Sequence, residues 1–385
     1  MVLQLYVHFP FCKAKCFYCD FCSHPAGQEE MLRYCAALEK EILSAGKKWI
    51  GAEVSTVFIG GGTPSLVPEE GMERVLRAMK SSFAFRPDVE FTSEANPGTL
   101  RENWLELMQR YGMNRLSLGV QAAQDALLKR IGRIHTFAEA RQAVEMARRS
   151  GIRNLNMDLM FGLPGQSAGE WRETLDAACH MEPEHISAYS LILEENTRLF
   201  DMVERGQISV PDDDAAAEMY SLAREVLTAK GYSQYEISNY AREGKRCRHN
   251  VGYWQGAYYL GLGVNAHGMM PPAREEDARW IRLANVEDTG EYIRRMEAGE
   301  DACALREAIG EEEAMFETMM LGLRMNDGVQ SSLFTGRFGR AMEQVWPDEL
   351  ESLVRDGLGM WTGGGFRLTD KGLLMQNEAL LRLMK

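Results

Sequence analysis

The sequence predicts an α/β fold on a parallel sheet, arranged as an open or closed barrel or as a doubly wound sheet. Up to about residue 231, short β-branched or aromatic runs alternate with amphipathic helical stretches. Six such strand–helix units in succession imply parallel strands with right-handed crossovers. Polar or glycine-rich residues follow five of the strands, at the ends where barrels build their active sites. This coincidence favours a barrel with one pocket.

The elements follow in chain order. The candidate strands between the helical stretches are Leu3–His8, Val54–Ile59, Val89–Glu94, Arg115–Gly119, Asn154–Met160 and His185–Leu191. Helical periodicity predicts the intervening helices Glu29–Ala45, Pro68–Phe83, Arg101–Arg110, Phe137–Ser150 and Ala168–His180. A further helix begins at the three aspartates 212–214, which suit an N-cap, and runs to about Lys230.

The loop after the first predicted strand contains Cys12, Cys16 and Cys19, spaced C-x-x-x-C-x-x-C. Three thiolates at this spacing can hold three irons of a 4Fe–4S cluster and leave the fourth iron without a protein ligand. Reductive cleavage of S-adenosylmethionine requires such an open iron. A structural zinc normally takes four closed ligands, and a disulfide is disfavoured without a signal peptide. We therefore predict a cluster site.

Cys22 extends this run to C-x-x-x-C-x-x-C-x-x-C. A fourth thiolate could close the open iron. We expect Cys22 instead to be a small neighbouring residue that does not bind the cluster.

The other strand ends carry residues that suit a charged, nucleoside-like ligand. The glycines at 60–62 and Thr63 lack the Gly-Lys-Ser/Thr of a phosphate loop, and they would allow close backbone approach to a ligand. A tight turn without a ligand is the alternative. Side chains able to bind an amine, a ribose diol or a carboxylate are Glu94, Gln121, Arg133 and Asp158. Singly, Arg133 could be a solvated helix-end residue and Asp158 a turn cap; with the cluster loop, the group predicts an S-adenosylmethionine site.

The bulk composition indicates a globular cytoplasmic chain. With 385 residues, 45% of them hydrophobic, it can bury one large core and a smaller second one. The net charge of −13 argues against binding a nucleic-acid backbone as the main activity. No apolar run reaches the length of a membrane-spanning helix, and the first residues lead into a strand rather than a signal sequence. Eight cysteines without an export signal fit a reducing compartment.

Longer motifs around these residues carry a family resemblance. They are YVHFPFC at 6–12, CDF at 19–21, IGGGTPS at 59–65, SEANPG at 93–98, NRLSLGVQ at 114–121, GRIH at 132–135, NMDLMFGLPGQ at 156–166, HISAYS at 185–190 and GYSQYEISNY at 231–240. In these motifs the chain resembles the radical S-adenosylmethionine superfamily. More narrowly, it resembles the oxygen-independent coproporphyrinogen oxidase group, which includes the HemW-type heme chaperones. The resemblance covers essentially the whole chain.

The resemblance implies a division into three parts. They are a partial (β/α)6 radical S-adenosylmethionine barrel over 1–235, an α+β extension over 236–304, and a small winged-helix-like C-terminal domain over 305–385.

The C-terminal part is predicted to contain helices at Met315–Met325 and Glu343–Gly357 and a wing strand within Phe366–Gly372. A winged-helix shape invites a DNA-binding hypothesis. Residues 306–385, however, hold nine Lys and Arg against thirteen Asp and Glu, which is the wrong charge for that role. We expect this domain to pack beside the barrel or to enclose a substrate.

The resemblance also implies roles for individual residues. Cys12, Cys16 and Cys19 match the cluster ligands, and no catalytic side chain is assigned. The implied contacts with S-adenosylmethionine are Tyr6 at the methionyl end, Tyr18 beside the adenine, Gly61, Gly62 and Thr63 in the glycine-rich segment, Glu94, Gln121, Arg133 and Asp158 as polar contacts, and Ile192 through its backbone.

Two features favour the chaperone type over the oxidase. Only five residues precede Tyr6, whereas the coproporphyrinogen dehydrogenases of the family carry an N-terminal extension that helps enclose the porphyrinogen. The oxidases also place a fourth cysteine one spacer after the third, and here that position is Phe21.

The second part contains HNVGYW at 249–254, which resembles the H-N-x-x-Y-W signature of HemW-type proteins. These proteins bind heme and are proposed to deliver it to client hemoproteins. His249 is therefore a candidate ligand to heme iron, beside the flat apolar rings of Tyr253 and Trp254. In the alternative, His249 is structural and the two aromatic rings anchor the core. Cys247 and His267 are rival ligands.

The expected function is thus that of a heme chaperone that binds a 4Fe–4S cluster, S-adenosylmethionine and heme. Its expected partners are heme, client hemoproteins and an electron donor, and dimer formation is left open. The alternative function is anaerobic oxidative decarboxylation of coproporphyrinogen III to protoporphyrinogen IX by a 5′-deoxyadenosyl radical. A third is a cluster-bearing interaction protein with a vestigial S-adenosylmethionine site. Whether the chain is an enzyme therefore stays open at this point.

Overall fold

The structure, a computed structural model, describes residues 1–272 and 278–384. The strands in these residues are β1 (Val2–Phe9), β2 (Glu53–Gly61), β3 (Ala84–Ala95), β4 (Arg115–Gln121), β5 (Leu155–Phe161), β6 (His185–Ser190), β7 (Ser233–Gln234), β8 (Asn239–Ala241), β9 (Tyr259–Leu262), β10 (His267–Met270), β11 (Trp280–Asn285), β12 (Cys303–Ile309), β13 (Val329–Gln330), β14 (Gly359–Trp361) and β15 (Gly365–Leu368). The helices are α1 (Gln28–Lys48), α2 (Glu69–Ser82), α3 (Glu102–Arg110), α4 (Asp125–Arg130), α5 (Phe137–Arg149), α6 (Ala168–His180), α7 (Arg198–Glu204), α8 (Asp213–Ala229), α9 (Arg248–Trp254), α10 (Thr289–Ala298), α11 (Glu311–Gly322), α12 (Ser331–Phe338), α13 (Met342–Val345), α14 (Pro347–Arg355), α15 (Asp370–Leu374) and α16 (Gln376–Leu383).

The six predicted strands form the parallel centre of one large sheet, which confirms the predicted fold class. β1 to β6 lie side by side in chain order, within the strand order β12-β11-β10-β9-β1-β2-β3-β4-β5-β6-β8-β7. Every residue of β4 is buried, as expected for a parallel strand covered on both faces. The order has two separate ends, so the barrel is open, in agreement with a partial (β/α)6 barrel.

Side-chain caps fix the beginnings of several helices. The hydroxyls of Thr136 and Ser167 accept hydrogen bonds from the backbone N–H groups of Glu139 and Glu170, forming capping boxes at α5 and α6. The predicted N-cap at 212 is confirmed, because the Asp212 carboxylate accepts from the N–H three residues later. The cap at Ser167 explains why the sequence predicts the start of α6 at Ala168, as observed.

An extension prolongs the sheet beyond β1. β9 runs parallel to β1, with residue 4 beside residue 259, and β10, β11 and β12 continue in antiparallel order. At the other end, β8 and β7 add antiparallel strands to β6. β12 lies in this sheet and runs across the predicted boundary between residues 304 and 305.

The C-terminal part has its own core and a three-stranded antiparallel sheet in the order β13-β15-β14. The single helix predicted over 343–357 is wrong: the structure has α13 and α14, separated at Trp346. Pro347 explains the break, because proline lacks the N–H needed within a helix and favours the first position of a new one. Across the described residues, none of the helices combines the length and apolarity needed to cross a membrane.

Candidate functional site

The cysteine loop leaves the end of β1 and is fixed by backbone hydrogen bonds. The N–H of Cys12 donates to the carbonyl of His24 at 3.0 Å, and the N–H of Thr63 donates to the carbonyl of Phe11 at 2.7 Å. Cys12, Cys16 and Cys19 are half-buried, unbonded to other cysteines, and line one small cavity of about 130 Å³. The loop therefore brings the three predicted cluster cysteines to one place.

The glycines after β2 let this loop pack closely. A Cβ at position 62 would lie 2.5 Å from the carbonyl oxygen of Phe11, a contact that real side chains do not make. Gly61 has φ = +105°, and a Cβ there would overlap the ring of His8. These two positions need glycine because of the neighbouring protein atoms, while Gly61 and Gly62 also line the small cavity.

The donors around the cysteines suit a negatively charged group. The hydroxyl of Thr63 donates to Cys12 Sγ at 3.8 Å, and Arg133 Nη1 donates to Cys16 Sγ at 3.6 Å. Arg133 Nε is buried and has no hydrogen-bond partner among the described residues. The residues therefore fit a thiolate-bound cluster with an anionic ligand beside it.

No three His, Cys, Asp or Glu side chains in residues 1–272 and 278–384 converge on a point where one metal ion could bind. This result concerns single ions. In a 4Fe–4S cluster each thiolate binds a different iron, so the cysteines surround the cluster rather than meet at one atom.

The four predicted polar residues all line the same small cavity: Glu94, Gln121 and Asp158 come from β3, β4 and β5, and Arg133 comes from the segment after α4. Glu94 Oε2 accepts from the N–H of Gly61 at 3.1 Å, and Arg133 donates to the carbonyl of Gly119. Asp158 accepts from Ser117 at 3.0 Å. Gln121 ends β4 with φ = +71°, the left-handed conformation that is uncommon for a side chain of this size. The sequence-predicted group is thus gathered around the cysteines.

The three other predicted contact residues differ in their position relative to the cavities. Tyr18 lines the small cavity, while Tyr6 lines a larger one next to it. Ile192 follows β6, and its side chain is 66% exposed and outside both linings. The roles predicted for Tyr6 and Tyr18 as contacts of S-adenosylmethionine stay predictions.

Asn96 and Ser117 belong to the site but were not singled out from the sequence. Asn96 accepts from Arg133 at 2.6 Å and donates to Thr63 at 2.8 Å, so it joins two predicted residues. Ser117 precedes Gly119 by two positions on β4, which places both on one face of the strand. This period-two spacing is the signal that could have identified it.

Glu94 is expected to make stability depend on pH. Burial, together with the smaller effect of the nearby Asp158 carboxylate, raises the pKa of its carboxyl to about 8. Its stabilising contribution is complete below the unfolded pKa of about 4.3 and is lost as pH rises towards 8, because the unfolded chain then releases the proton first. Relative to Glu94→Gln, the wild-type apo-protein should lose up to about 1.4 kcal/mol of unfolding free energy per pH unit in that window.

Urea unfolding of both apo-proteins at about pH 5.5 and about pH 7.5 measures this difference. The exposed Glu70 provides the control, since Glu70→Gln should follow the wild type at both pH values. Parallel pH profiles for wild type and Glu94→Gln would show that Glu94 titrates normally.

The larger cavity has a volume of about 710 Å³ and adjoins the first. Phe21, Gly61 and Glu94 line both, so the two cavities are direct neighbours. The walls of the larger cavity come from β1, α9, one face of the β9–β11 sheet and helix α11, and include Tyr6, His8, Tyr253, Trp254, Tyr259, His267, Met269, Arg282, Glu317, Met320 and Leu321. Five aromatic side chains and two methionines are thus among its lining residues, together with the charged groups of Asp20, Glu94, Arg282 and Glu317.

The aromatic wall is continuous with the barrel interior. The rings of Tyr253 and Tyr259 meet edge to face with centroids 4.7 Å apart, and Tyr253 meets His249 in the same way at 4.8 Å. The predicted aromatic pair Tyr253 and Trp254 thus faces the cavity, whereas His249 lies behind it.

His249 is only 1% exposed and does not line the cavity. Its Nδ1 is hydrogen-bonded to the Thr56 hydroxyl at 2.7 Å, and its Nε2 to the Tyr253 hydroxyl at 3.0 Å. Burial lowers the pKa of its imidazole to about 3. In this structure a bond from His249 to iron would require one of these hydrogen bonds to be given up.

The two cysteines left open by the sequence also differ in position. Cys247 is fully buried, and its thiol donates to Glu90 at 3.6 Å. Cys22 lines the larger cavity and not the smaller one, and its thiol donates to the carbonyl of Glu287 at 3.3 Å. Cys22 therefore stands apart from the three cysteines of the small cavity.

Comparisons with known proteins agree with this geometry. The profile of the radical SAM superfamily matches residues 6–178, and that of the HemN C-terminal domain matches residues 309–375. Heme chaperone HemW of Bacillus subtilis is 35% identical over 97% of this chain and 97% of its own length. Heme chaperone HemW of Escherichia coli is 35% identical over 98% and 97%, respectively.

A mitochondrial radical S-adenosyl methionine domain-containing protein 1 from Bos taurus is 34% identical over 99% of this chain and 87% of its own. Among solved structures, coproporphyrinogen III oxidase HemN from Escherichia coli superposes with a TM-score of 0.84 over 99% of this chain and 89% of its own, at 22% identity. At that identity the likeness concerns the fold.

Proposed function

The chain belongs to the HemW family of heme chaperones within the radical SAM superfamily, and from this membership we propose that it binds heme and delivers it to client hemoproteins. The 710 Å³ cavity beside the cysteine loop is the observation that carries the proposal. Its volume lies within the range of about 300–1,000 Å³ typical of small-molecule sites. Its aromatic and methionine walls suit a flat, largely apolar macrocycle.

The small cavity supports the cofactor part of the proposal. Cys12, Cys16 and Cys19 would hold a 4Fe–4S cluster, which when bound supplies an open iron for S-adenosylmethionine and an electron for its cleavage. Arg133 would orient the anionic end of that ligand through its unpaired Nε. The other proposed contacts are Tyr6, Tyr18, Gly61, Gly62, Thr63, Glu94, Gln121, Asp158 and the backbone of Ile192.

The three predicted parts receive distinct roles in this proposal. The barrel, 1–235, holds the cluster; the extension, 236–304, contributes the aromatic wall; and the C-terminal domain, 305–385, closes the heme cavity through α11. An electron donor would approach the cysteine loop, where Phe21 leaves an apolar surface that is 63% exposed. In a homodimer, this exposed loop of one chain would contact the same loop of the other.

Heme titration and a turnover assay on one anaerobically reconstituted batch test the function. We expect stoichiometric heme binding, transfer of that heme to an apo-hemoprotein, and no conversion of coproporphyrinogen III. Formation of protoporphyrinogen IX would instead establish the oxidase alternative. If the protein binds no heme, and if reduction of the cluster releases no methionine from S-adenosylmethionine, the third alternative, a cluster-bearing interaction protein, would be favoured.

A pair of variants locates the bound heme. Met320→Glu places a charge in the cavity wall and should weaken heme binding at least about tenfold, because burying an unpaired charge is costly. Leu381→Glu makes a similar change at a residue that is 63% exposed on the C-terminal domain and should bind heme like the wild type. Equal affinities would place the heme elsewhere.

A further inference from the structure

We propose that His267 is the protein ligand to the heme iron, an inference that rests on the proposed function. His267 begins β10 and lines the 710 Å³ cavity. Met269, two positions along the strand, lines it as well, as expected for side chains on one face of a strand. The imidazole is therefore presented to the space that the macrocycle would occupy.

The hydrogen bonds of the neighbouring histidines distinguish His267 from its rivals. His249 uses both ring nitrogens, on Thr56 and Tyr253. His8 also uses both, on the Tyr6 hydroxyl at 3.0 Å and the Cys22 carbonyl at 2.9 Å. Within the part of the chain that the structure describes, His267 is exposed and neither of its ring nitrogens has a hydrogen-bond partner. A neutral imidazole with a free nitrogen can bind iron without losing an existing bond.

The backbone that carries His267 is firmly held. The turn before it begins at Gly263, whose N–H donates to the half-buried Glu41 carboxylate at 2.7 Å and whose carbonyl accepts from Asn285 at 2.8 Å. Gly261 on β9 admits this backbone, because a Cβ there would lie 2.1 Å from the His267 carbonyl oxygen. A ligand fixed by buried hydrogen bonds and close strand packing is prepared before heme arrives.

The sulfur atoms of the cavity are weaker candidates. Cys22 is held as a thiol by its bond to the Glu287 carbonyl, and only a thiolate is an effective ligand. Met269 and Met320 present thioethers, which in heme proteins serve alongside a histidine rather than in place of it.

The test uses His267→Ala in the oxidised, cluster-containing protein, with ferric heme as the probe. Electron paramagnetic resonance reports the ferric heme alone, because the oxidised 4Fe–4S cluster is diamagnetic. We expect the wild-type signal to change to that of heme without a protein nitrogen ligand. Affinity should fall at least about tenfold, since even losing a residue that orients a metal ligand costs that much. Added imidazole should restore the wild-type signal.

His180→Ala is the matched control, because His180 is an exposed histidine on α6 with its Nδ1 bonded to the Asp176 carbonyl at 2.6 Å. It should leave signal and affinity unchanged. An unchanged signal in His267→Ala, or loss of the signal in Cys22→Ser alone, overturns the ligand assignment while heme binding stands. Failure of the wild type to bind heme at all overturns the proposed function itself.

Discussion

Replacing any one of Cys12, Cys16 or Cys19 by alanine should abolish the 4Fe–4S cluster. The three thiols line one cavity, Cys12 and Cys16 accept hydrogen bonds from Thr63 and Arg133, and no other cysteine of the described residues lines that cavity. One iron of such a cluster has no protein ligand already. Removing any of the three thiolates leaves a second iron without a protein ligand, and we expect the cluster to be lost. Visible absorption and iron content after anaerobic reconstitution measure the loss, which should be nearly complete in each variant.

Two other cysteines serve as controls for this experiment. Cys22→Ser tests the neighbour that lines the larger cavity, and Cys303→Ser tests a half-buried cysteine on β12, far along the chain. Both should retain the full cluster, and Cys22→Ser should also keep the change in the reduced-cluster spectrum that S-adenosylmethionine causes. Iron loss in Cys22→Ser would make Cys22 a ligand, and a full cluster in any of the three alanine variants would refute the assignment of that cysteine.

Glu90→Ala should destabilise the fold by at least about 3 kcal/mol. The Glu90 carboxylate is buried and accepts from the backbone N–H groups of Arg248 and His249, each at 3.0 Å. It thereby binds the first turn of α9, where the helix dipole favours a negative charge. It also lies near the fully buried guanidinium of Arg115. Alanine leaves two N–H donors unpaired and removes one of the negative charges near this cation.

Urea unfolding monitored by circular dichroism measures this change. Glu70→Ala is the control, since Glu70 is exposed and its removal should alter the unfolding free energy by less than about 0.5 kcal/mol. If Glu90→Ala lowers the unfolding free energy by less than about 1 kcal/mol, water takes the place of the carboxylate, and Glu90 does not anchor α9 to the barrel.

The barrel was predictable because its elements are long and their signals are local. β1, β2, β3 and β6 each contain two or more β-branched or aromatic residues, whereas β4 and β5 contain one each. α5 and α6 begin at capping boxes that are visible in the sequence. The strands outside the barrel gave no such signal. β7 has two residues and β8 has three, too few for any period to be seen.

The grouping of the proposed cluster and cofactor residues was predictable for a topological reason. Parallel strands end at the same edge of a sheet, so Glu94, Gln121 and Asp158 had to lie near the cysteine loop. His249 was different, because its environment depends on Thr56, which lies far away in the sequence. Glu90 and Glu41 likewise look like ordinary surface residues until the extension folds against them.

The pairing of β1 bears on the order of events during synthesis. β1 lies between β2 and β9, with residue 4 beside residue 259, so a strand made early is completed by a partner made much later. Until then β1 has an unpaired edge, with backbone groups that only water or another chain can satisfy. The loop that carries Cys12, Cys16 and Cys19 leaves this strand. Iron and sulfide are therefore expected to be inserted after translation of the barrel and its extension, and not into the nascent N-terminus.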